Sequence, residues 1–299
     1  MGSILYAYRP CNKTSSVLHV ITLRHDLLSK GSTTNYTNNY MSSAYSIPSW
    51  VPFKNTFQGA GDFFVFYIRF VKECFKRPFE IKEFIVQCYK MGNKSLPLVL
   101  ITAFIMGLVL TLQTRPSLVN FGAEALLPGM VSVSVIKEIG PVITAIICAG
   151  KIGSRIGAEL GSMKVTEQID AMEVSAINPF RYLVVTRVLA ATFILPFLVV
   201  FADTISIFSS YLAYNIHGDM ALSSYFNAAL SKLDWIDVVP SIIKSILFGT
   251  AIGIIGCYKG FNVNGGTASV GTAANSSVVT ASLAIFFIDM ITVQITDIL

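Results

Sequence analysis

This chain has little charge and very little histidine. Of its 299 residues only 13% are charged and 3 are histidine, whereas soluble domains have roughly a quarter of their residues charged. So few ionic groups could not clothe a water-exposed globule of this size, and the shortage of histidine removes most histidine-based catalysis and metal binding. No HExxH pair occurs, and His19, His25 and His217 are isolated. There is no GxxxxGK[ST] run, so the chain lacks the glycine-rich cradle with which a protein holds and hydrolyses ATP. Cys11, Cys74, Cys88, Cys148 and Cys257 are odd in number, scattered and mostly set in apolar runs. That is the spacing of neither a disulfide framework nor a zinc site, and small core residues is their ordinary role. Acidic residues are nearly missing from the first 60 positions, where Asp26 stands against five basic residues amid Ser, Thr, Asn and Tyr. With no helical apolar period there, residues 1–60 are expected to be a disordered extension. Its composition resembles an organellar transit peptide, or equally a start placed too far upstream of Met41.

What the chain has in excess is apolar sequence: 53% hydrophobic residues and a mean hydropathy of +0.63. A helix needs about 20 apolar residues to cross a bilayer, because backbone polar groups must be satisfied within hydrocarbon. Five such runs can be counted, near Leu96–Leu112, Leu126–Gly150, Val188–Tyr214, Val238–Tyr258 and Val270–Thr296. The third is long enough to tilt or to kink at Pro196. Basic residues cluster before the first run (Arg69, Lys72, Lys76, Arg77, Lys82, Lys90, Lys94) and between the second and third (Lys151, Arg155, Lys164, Arg181, Arg187). The link between the third and fourth instead carries Asp219, Asp234 and Asp237 against Lys232. Short basic loops stay in the cytoplasm, so the N-terminus is expected inside and the C-terminus outside.

Between Phe63 and Tyr89 apolar residues recur at three and four with basic residues between them, the pattern of a helix lying along the inner membrane surface, broken at Pro78. The expected layout is therefore an extension over 1–60, an interfacial region over 61–94 and a membrane domain over 95–299. Gly153, Gly157 and Gly161 repeat at four, as do Gly249 with Gly253 and Gly256 with Gly260, a spacing that lets helix backbones approach closely. Lys151, Arg155 and Glu159 also stand four apart, so the second span should continue as a helix beyond the membrane.

Two kinds of polar feature stand out. Glu138 falls near the middle of the second span, where a carboxylate is costly unless it faces protein or water. It is expected to be a gate or pathway residue, the alternative being a structural ion pair with Lys244 or with another span. Asp203 and Asp289 also sit in apolar runs, and a pair of carboxylates sharing one proton would suit an intramembrane aspartyl protease. A third class is an ion or proton channel subunit using Glu138, Asp203, Lys244 and Asp289. The other feature is the insert "SMKVTEQIDAMEVSAINPF". It offers Thr166 as an N-cap, a short helix from Glu167 to Val174 with Ile169 and Met172 on its apolar face, and a stop at Asn178 and Pro179.

The run from Lys137 to Ala190, with "AELGSMKVTEQIDAM" as its most specific part, resembles the MlaE family of permeases. These are the membrane subunits of ABC transporters that move phospholipid between the two membranes of a Gram-negative envelope, with relatives in the plastid inner envelope. The resemblance extends less sharply from about Phe63 to Leu299, and the chain departs from it at Lys151, where many relatives have Arg, and at Arg155, where a small residue is common. It implies an all-α integral membrane protein with an amphipathic interfacial helix, five transmembrane helices and a cytoplasmic coupling helix between spans two and three. The coupling helix would be Glu167, Gln168, Ile169, Asp170, Ala171, Met172 and Glu173. Glu138, Leu112 and Gln113 would lie by the lipid pathway, and Gly153, Gly157 and Gly161 would serve helix packing. The implied partners are a second copy of the chain, an ABC ATPase, an MCE-domain lipid-binding subunit, a STAS-domain subunit in some systems, and phospholipid, with no nucleic acid. The chain itself would bind no cofactor and be no enzyme, ATP and magnesium belonging to the ATPase. Its place would be the inner (cytoplasmic) membrane or the plastid inner envelope.

Overall fold

A long run of apolar residues in helical period leaves the chain no way to satisfy its backbone in lipid except as helix or closed barrel, and helix is what the computed structural model shows. It describes residues 52–76, 80–216, 218–263 and 265–298, with side chains from residue 61 onward; the disorder expected before residue 52 lies outside these. Among the described residues there is no strand. In chain order the helices are α1 (Pro52–Cys74), α2 (Ile81–Asn120), α3 (Leu127–Ser134), α4 (Gly140–Cys148), α5 (Ser154–Val165), α6 (Gln168–Val174), α7 (Thr186–Asn215), α8 (Leu222–Leu230), α9 (Trp235–Phe261) and α10 (Thr267–Ile298). Among the described residues, 5 segments are long and apolar enough to cross a membrane: Ile81–Asn120, Glu124–Val165, Phe180–Asn215, Asp237–Phe261 and Thr267–Thr296.

The first span differs from its expected outline. Residues 81–94 do not form a separate surface element; they are the opening turns of α2, which runs unbroken through Pro97 and Pro116. The face they turn inward carries Gln87, Met91, Gly92 and Ser95, whereas the apolar Ile81, Ile85 and Tyr89 stay exposed, and Gln87 donates to Glu83 one turn back at 2.7 Å. Only α1 remains as a separate element ahead of the first span. The third span likewise passes Pro196 within one continuous helix.

The second span is interrupted twice by π turns, at Val135–Ile139 and Ala149–Gly153, and a third π turn, Phe180–Val185, opens span three. The first has a local cause. Pro141 has no N–H to give to the carbonyl of Lys137 four residues back, and that oxygen instead accepts a bond from the Lys244 ammonium of α9 at 3.4 Å. π turns are uncommon and mark sites where a helix is pulled out of register.

Water is not there to drive these helices together, so close approach of small residues and interhelical hydrogen bonds must do it. Gly107 of α2 lies so close to the Ser206 carbonyl and Ser209 hydroxyl of α7 that an added methyl would collide with both. Gly249 and Gly253 of α9 face Ala191 and Val188 of α7, while Gly256 and Gly260 face Gly153 and Gly157 of span two. Gly153 and Gly157 thus interlock with Gly256 and Gly260, while Gly249 and Gly253 pack on span three. A hydrogen-bonded chain from Thr111 to the Ser210 hydroxyl (2.5 Å) and on to the Tyr225 hydroxyl (2.6 Å) ties spans one and three to α8.

Because successive spans alternate in direction, the start of α2, the α5–α7 link and the α9–α10 link lie at one end. That end holds Lys90, Lys94, Lys151, Arg155, Lys164, Arg181, Arg187 and Lys259 and is the basic end below. α1 docks there through Phe66, whose ring meets Phe180 at 5.0 Å and Tyr258 at 5.4 Å. Arg69 covers the Phe180 ring at 4.4 Å.

Candidate functional site

The α6 helix is held between two strained residues. Glu167 before it and Ala176 after it both have φ of 58°, the left-handed region that costs a non-glycine residue about 1–2 kcal/mol. At Glu167 the chain leaves α5 and reverses, so the helix starts at Gln168 and not at Glu167. Thr166 does not cap it, because its hydroxyl bonds back to the Ser162 carbonyl within α5 at 2.8 Å. At the far end Ile177 N–H donates to Met172 O at 3.1 Å and Ala176 N–H to Glu173 O at 3.0 Å, a Schellman stop with alanine where glycine is usual. Glu167→Gly or Ala176→Gly relieves the strain but frees the unfolded chain by about 0.5–1 kcal/mol, so each should raise thermal stability by a net of about 0.5 kcal/mol. A lower melting temperature for either variant would contradict the strain.

Ile169 fixes how the helix faces. It is 1% exposed and belongs to the main apolar core, with Met172 packed against that core. Lys164 pins the helix from α5 through an ion pair to Asp170 at 2.9 Å. Gln168, Asp170, Ala171 and Glu173 therefore point outward at the basic end, and Val174 stands 90% exposed beyond them. The expected apolar face is present but turned inward; the free surface is polar around one bare valine. Val174 was not among the expected site residues, and the Schellman stop that raises it off the core depends on a left-handed alanine, for which the sequence carries no signal.

α1 is clasped to the segment that follows. Arg181, in the π turn opening span three, reaches Glu73 of α1 at 3.3 Å, and Lys76 reaches the same carboxylate at 2.6 Å. The Lys76 hydrogen bond and then that from Arg181 hold the Glu73 carboxyl below the usual glutamate value of 4.5, partly opposed by burial. A depressed carboxylate stabilises above the unfolded value and stops doing so as pH falls through the lower folded one. Release of α1, followed by fluorescence between labels on α1 and α6, should therefore begin only below pH 4.5 and be absent in Arg181→Gln, already loosened at neutral pH.

The midmembrane charges form one network. Lys244 of α9, 2% exposed, lies 2.7 Å from Glu138 of the first π turn and 3.2 Å from Asp289 of α10. Lys137, beside Glu138, turns the other way to Asp237 at 2.8 Å. Glu138 thus has the ion-pair partner weighed for it from the sequence, while its side chain remains 42% exposed. Asp203 does not join the network: it is buried against Gly140, and its Oδ1 has no hydrogen-bond partner among the described residues. The carboxylates of Asp203 and Asp289 are not hydrogen-bonded to each other, and Asp289 is matched to a lysine, which is not the shared-proton arrangement of a protease dyad. No group of three or more His, Cys, Asp or Glu among the described residues could hold a metal ion.

Leu112 and Gln113 are both exposed, on α2 at the end opposite α6. Leu112 lines an open apolar hollow of about 430 Å³ with Arg115, Pro116 and Val119, and a second hollow of about 410 Å³ lies between Phe84 and Phe197. Gly157 sits where an added methyl would come within 3.3 Å of the Ala273 carbonyl of α10, and Gly153 and Gly161 face Ile252 and Val263. The expected site residues thus occupy three places: α6 at the basic end, the ionic network within the membrane, and the rim of α2 at the far end.

The family model described as permease MlaE matches residues 84–295, which takes in all of these places and leaves α1 outside. A probable ABC transporter permease protein of Rickettsia prowazekii is 36% identical over 228 residues, covering 76% of this chain and 88% of that protein. One from Synechocystis is 37% identical over 206 residues, 67% of this chain and 76% of that protein. The chloroplastic protein TRIGALACTOSYLDIACYLGLYCEROL 1 of Arabidopsis thaliana is 34% identical over 205 residues, 69% of this chain and 59% of that protein. With the α6 link, the glycine interlock and nearly all of the five apolar helices inside the matched region, this chain belongs to the MlaE family of ABC transporter permeases.

Proposed function

We propose that this permease moves phospholipid between membranes, driven by a separate ATPase that docks on α6. The observation that carries the reading is α6 itself: a seven-residue helix fixed on its inner side by Ile169 and offered on its outer side at the basic end. Such an element transmits force applied from outside into the spans it joins. In this reading ATP binding draws two ATPase subunits together, the α6 helices of two permease copies follow, and the chamber between the copies narrows. Spans one and five, which present long exposed apolar faces including Ile101, Ile105, Leu283 and Phe287, supply walls suited to acyl chains. The name of the Arabidopsis relative contains a diacylglycerol lipid, which supports a lipid cargo.

Energy is needed because drawing acyl chains out of a bilayer costs about 0.8 kcal/mol for each CH₂ exposed. Glu138, Leu112 and Gln113 flank the lipid path; an MCE-domain subunit receives or delivers lipid on the far side, and a STAS-domain subunit regulates in some assemblies. The basic end faces the cytoplasm in the inner membrane of a bacterial cell, or the stroma in the plastid inner envelope. ATP and magnesium are held by the ATPase, not by this chain. The test is reconstitution of the chain with its ATPase in vesicles containing fluorescent phospholipid: transfer to an acceptor should require ATP. Transfer indifferent to ATP would overturn the reading, and ion conductance by the chain alone would replace it with a channel.

A further inference from the structure

We propose that a crevice between spans one and two at the basic end binds a single phosphate group, with Lys94, Lys151, Arg155 and the Ser95 hydroxyl as its ligands. The crevice is lined by Lys90, Lys94 and Ser95 of α2 and by Lys151, Arg155 and Glu159 of span two. It encloses about 30 Å³, on the order of two to three times what one water needs, which suits one phosphate group and is far too small for an acyl chain or a sugar.

The charges are not already spent. Lys90, Lys94 and Lys151 form no ion pair among the described residues. Arg155 makes only a long contact to Glu159 (3.7 Å) and a long bond to the Lys90 carbonyl (3.4 Å). Glu159, the one carboxylate on the lining, is shared with Arg187 at 3.6 Å. Four cations thus face one divided anion.

A second, independent feature points into the crevice. Ser95 is 1% exposed, and its hydroxyl is the one buried hydroxyl among the described residues with no hydrogen-bond partner. A serine in a helix ordinarily bonds back to the carbonyl one turn before it, as Thr102 and Thr111 do on this same helix. An unpartnered hydroxyl beside three cations is a donor in search of an anionic oxygen. The Ala149–Gly153 π turn contributes the third side, because it carries Lys151 on the segment facing α2.

The phosphate could belong to a lipid headgroup or be free in solution, and position favours the lipid. Ser95 immediately precedes the apolar run of span one, at the level of the headgroups. Above Lys94, in steps of three and four on the same helical face, Leu98, Ile101, Ile105, Val109 and Leu112 are all exposed. An anionic phospholipid could seat its phosphodiester in the crevice and lay a chain along that stripe toward the rim at Leu112. Only this choice of source rests on the lipid-permease reading; the anion site does not.

The test uses the full chain without ATP or ATPase, so its failure is separate from failure of the transport reading. Native mass spectrometry of the protein released from nanodiscs of equal phosphatidylglycerol and phosphatidylcholine should show retained phosphatidylglycerol. Lys94→Gln with Lys151→Gln should reduce retention about tenfold, the effect of losing charge-assisted bonds to one phosphate, while Lys259→Gln, also at the basic end, should not. Ser95→Ala should lower retention without lowering the melting temperature, whereas an unpaired hydroxyl with no ligand would affect neither in that way. A parallel titration with inorganic phosphate in detergent separates the sources: phosphate binding lost in the double variant, with no lipid preference, assigns a free anion. Equal behaviour of wild type and double variant toward both probes overturns the site.

Discussion

Ala171→Arg with Val174→Glu should abolish stable association with the ATPase while leaving the permease folded. Both residues are exposed on α6, one of them almost completely, so neither contributes to the chain's own core. New charges set into a docking face meet partner groups that do not match them, which costs about 2 kcal/mol or more, or about a 30-fold weaker complex. Pull-down of the ATPase by the permease and ATP-driven lipid transfer should fall together, with the melting temperature unchanged. Ile169→Ala is the informative contrast. That side chain lies in the apolar core, and truncating it opens a cavity worth roughly 2–4 kcal/mol, so it should lower the melting temperature first and docking only as a consequence. Normal ATPase binding by the surface variant would remove α6 from the coupling path.

Lys244→Leu should be among the most destabilising single changes in the chain. The ammonium lies between the carboxylates of Glu138 and Asp289 at 2.7 and 3.2 Å, and taking it away leaves carboxylates without their cation inside the membrane. Removing one partner of a buried ion pair typically costs about 3–5 kcal/mol, whereas neutralising all partners together is often tolerated. The triple variant Lys244→Leu, Glu138→Gln, Asp289→Asn should therefore regain most of the lost melting temperature in detergent. Its transport then separates the two roles weighed for Glu138. A folded triple variant that no longer transfers lipid makes Glu138 a pathway residue; one that transfers normally makes the network structural. Wild-type stability of Lys244→Leu would mean that the network does not hold spans two, four and five together.

Much of this was legible in the residues because the membrane simplifies the problem. With lipid outside, a run of about 20 apolar residues has one solution, and 5 such runs became 5 long helices. The glycine series at intervals of four was equally readable, since Gly153 and Gly157 do meet Gly256 and Gly260. The short helix after α5 was expected from its polar pattern and the Asn178-Pro179 stop, and it is present. Its first residue and cap were not, because Glu167 adopts a left-handed conformation that nothing in a glutamate announces.

The sequence by itself determined the number of spans and the basic end, because both follow from local composition and short-range spacing, and the resemblance of its run from Lys137 to Ala190 pointed to the family. Only the tertiary structure decided which charges meet. Glu138, Lys244 and Asp289 come from three spans far apart in the chain, and Ile169 could be told from Val174 as buried rather than bare only once α5, α6 and α7 were set against one another. Contacts between distant segments depend on how helices are rotated and where π turns shift their register. A rotation of one residue carries a side chain about 100° around the helix axis, and no short-range pattern fixes it to that precision.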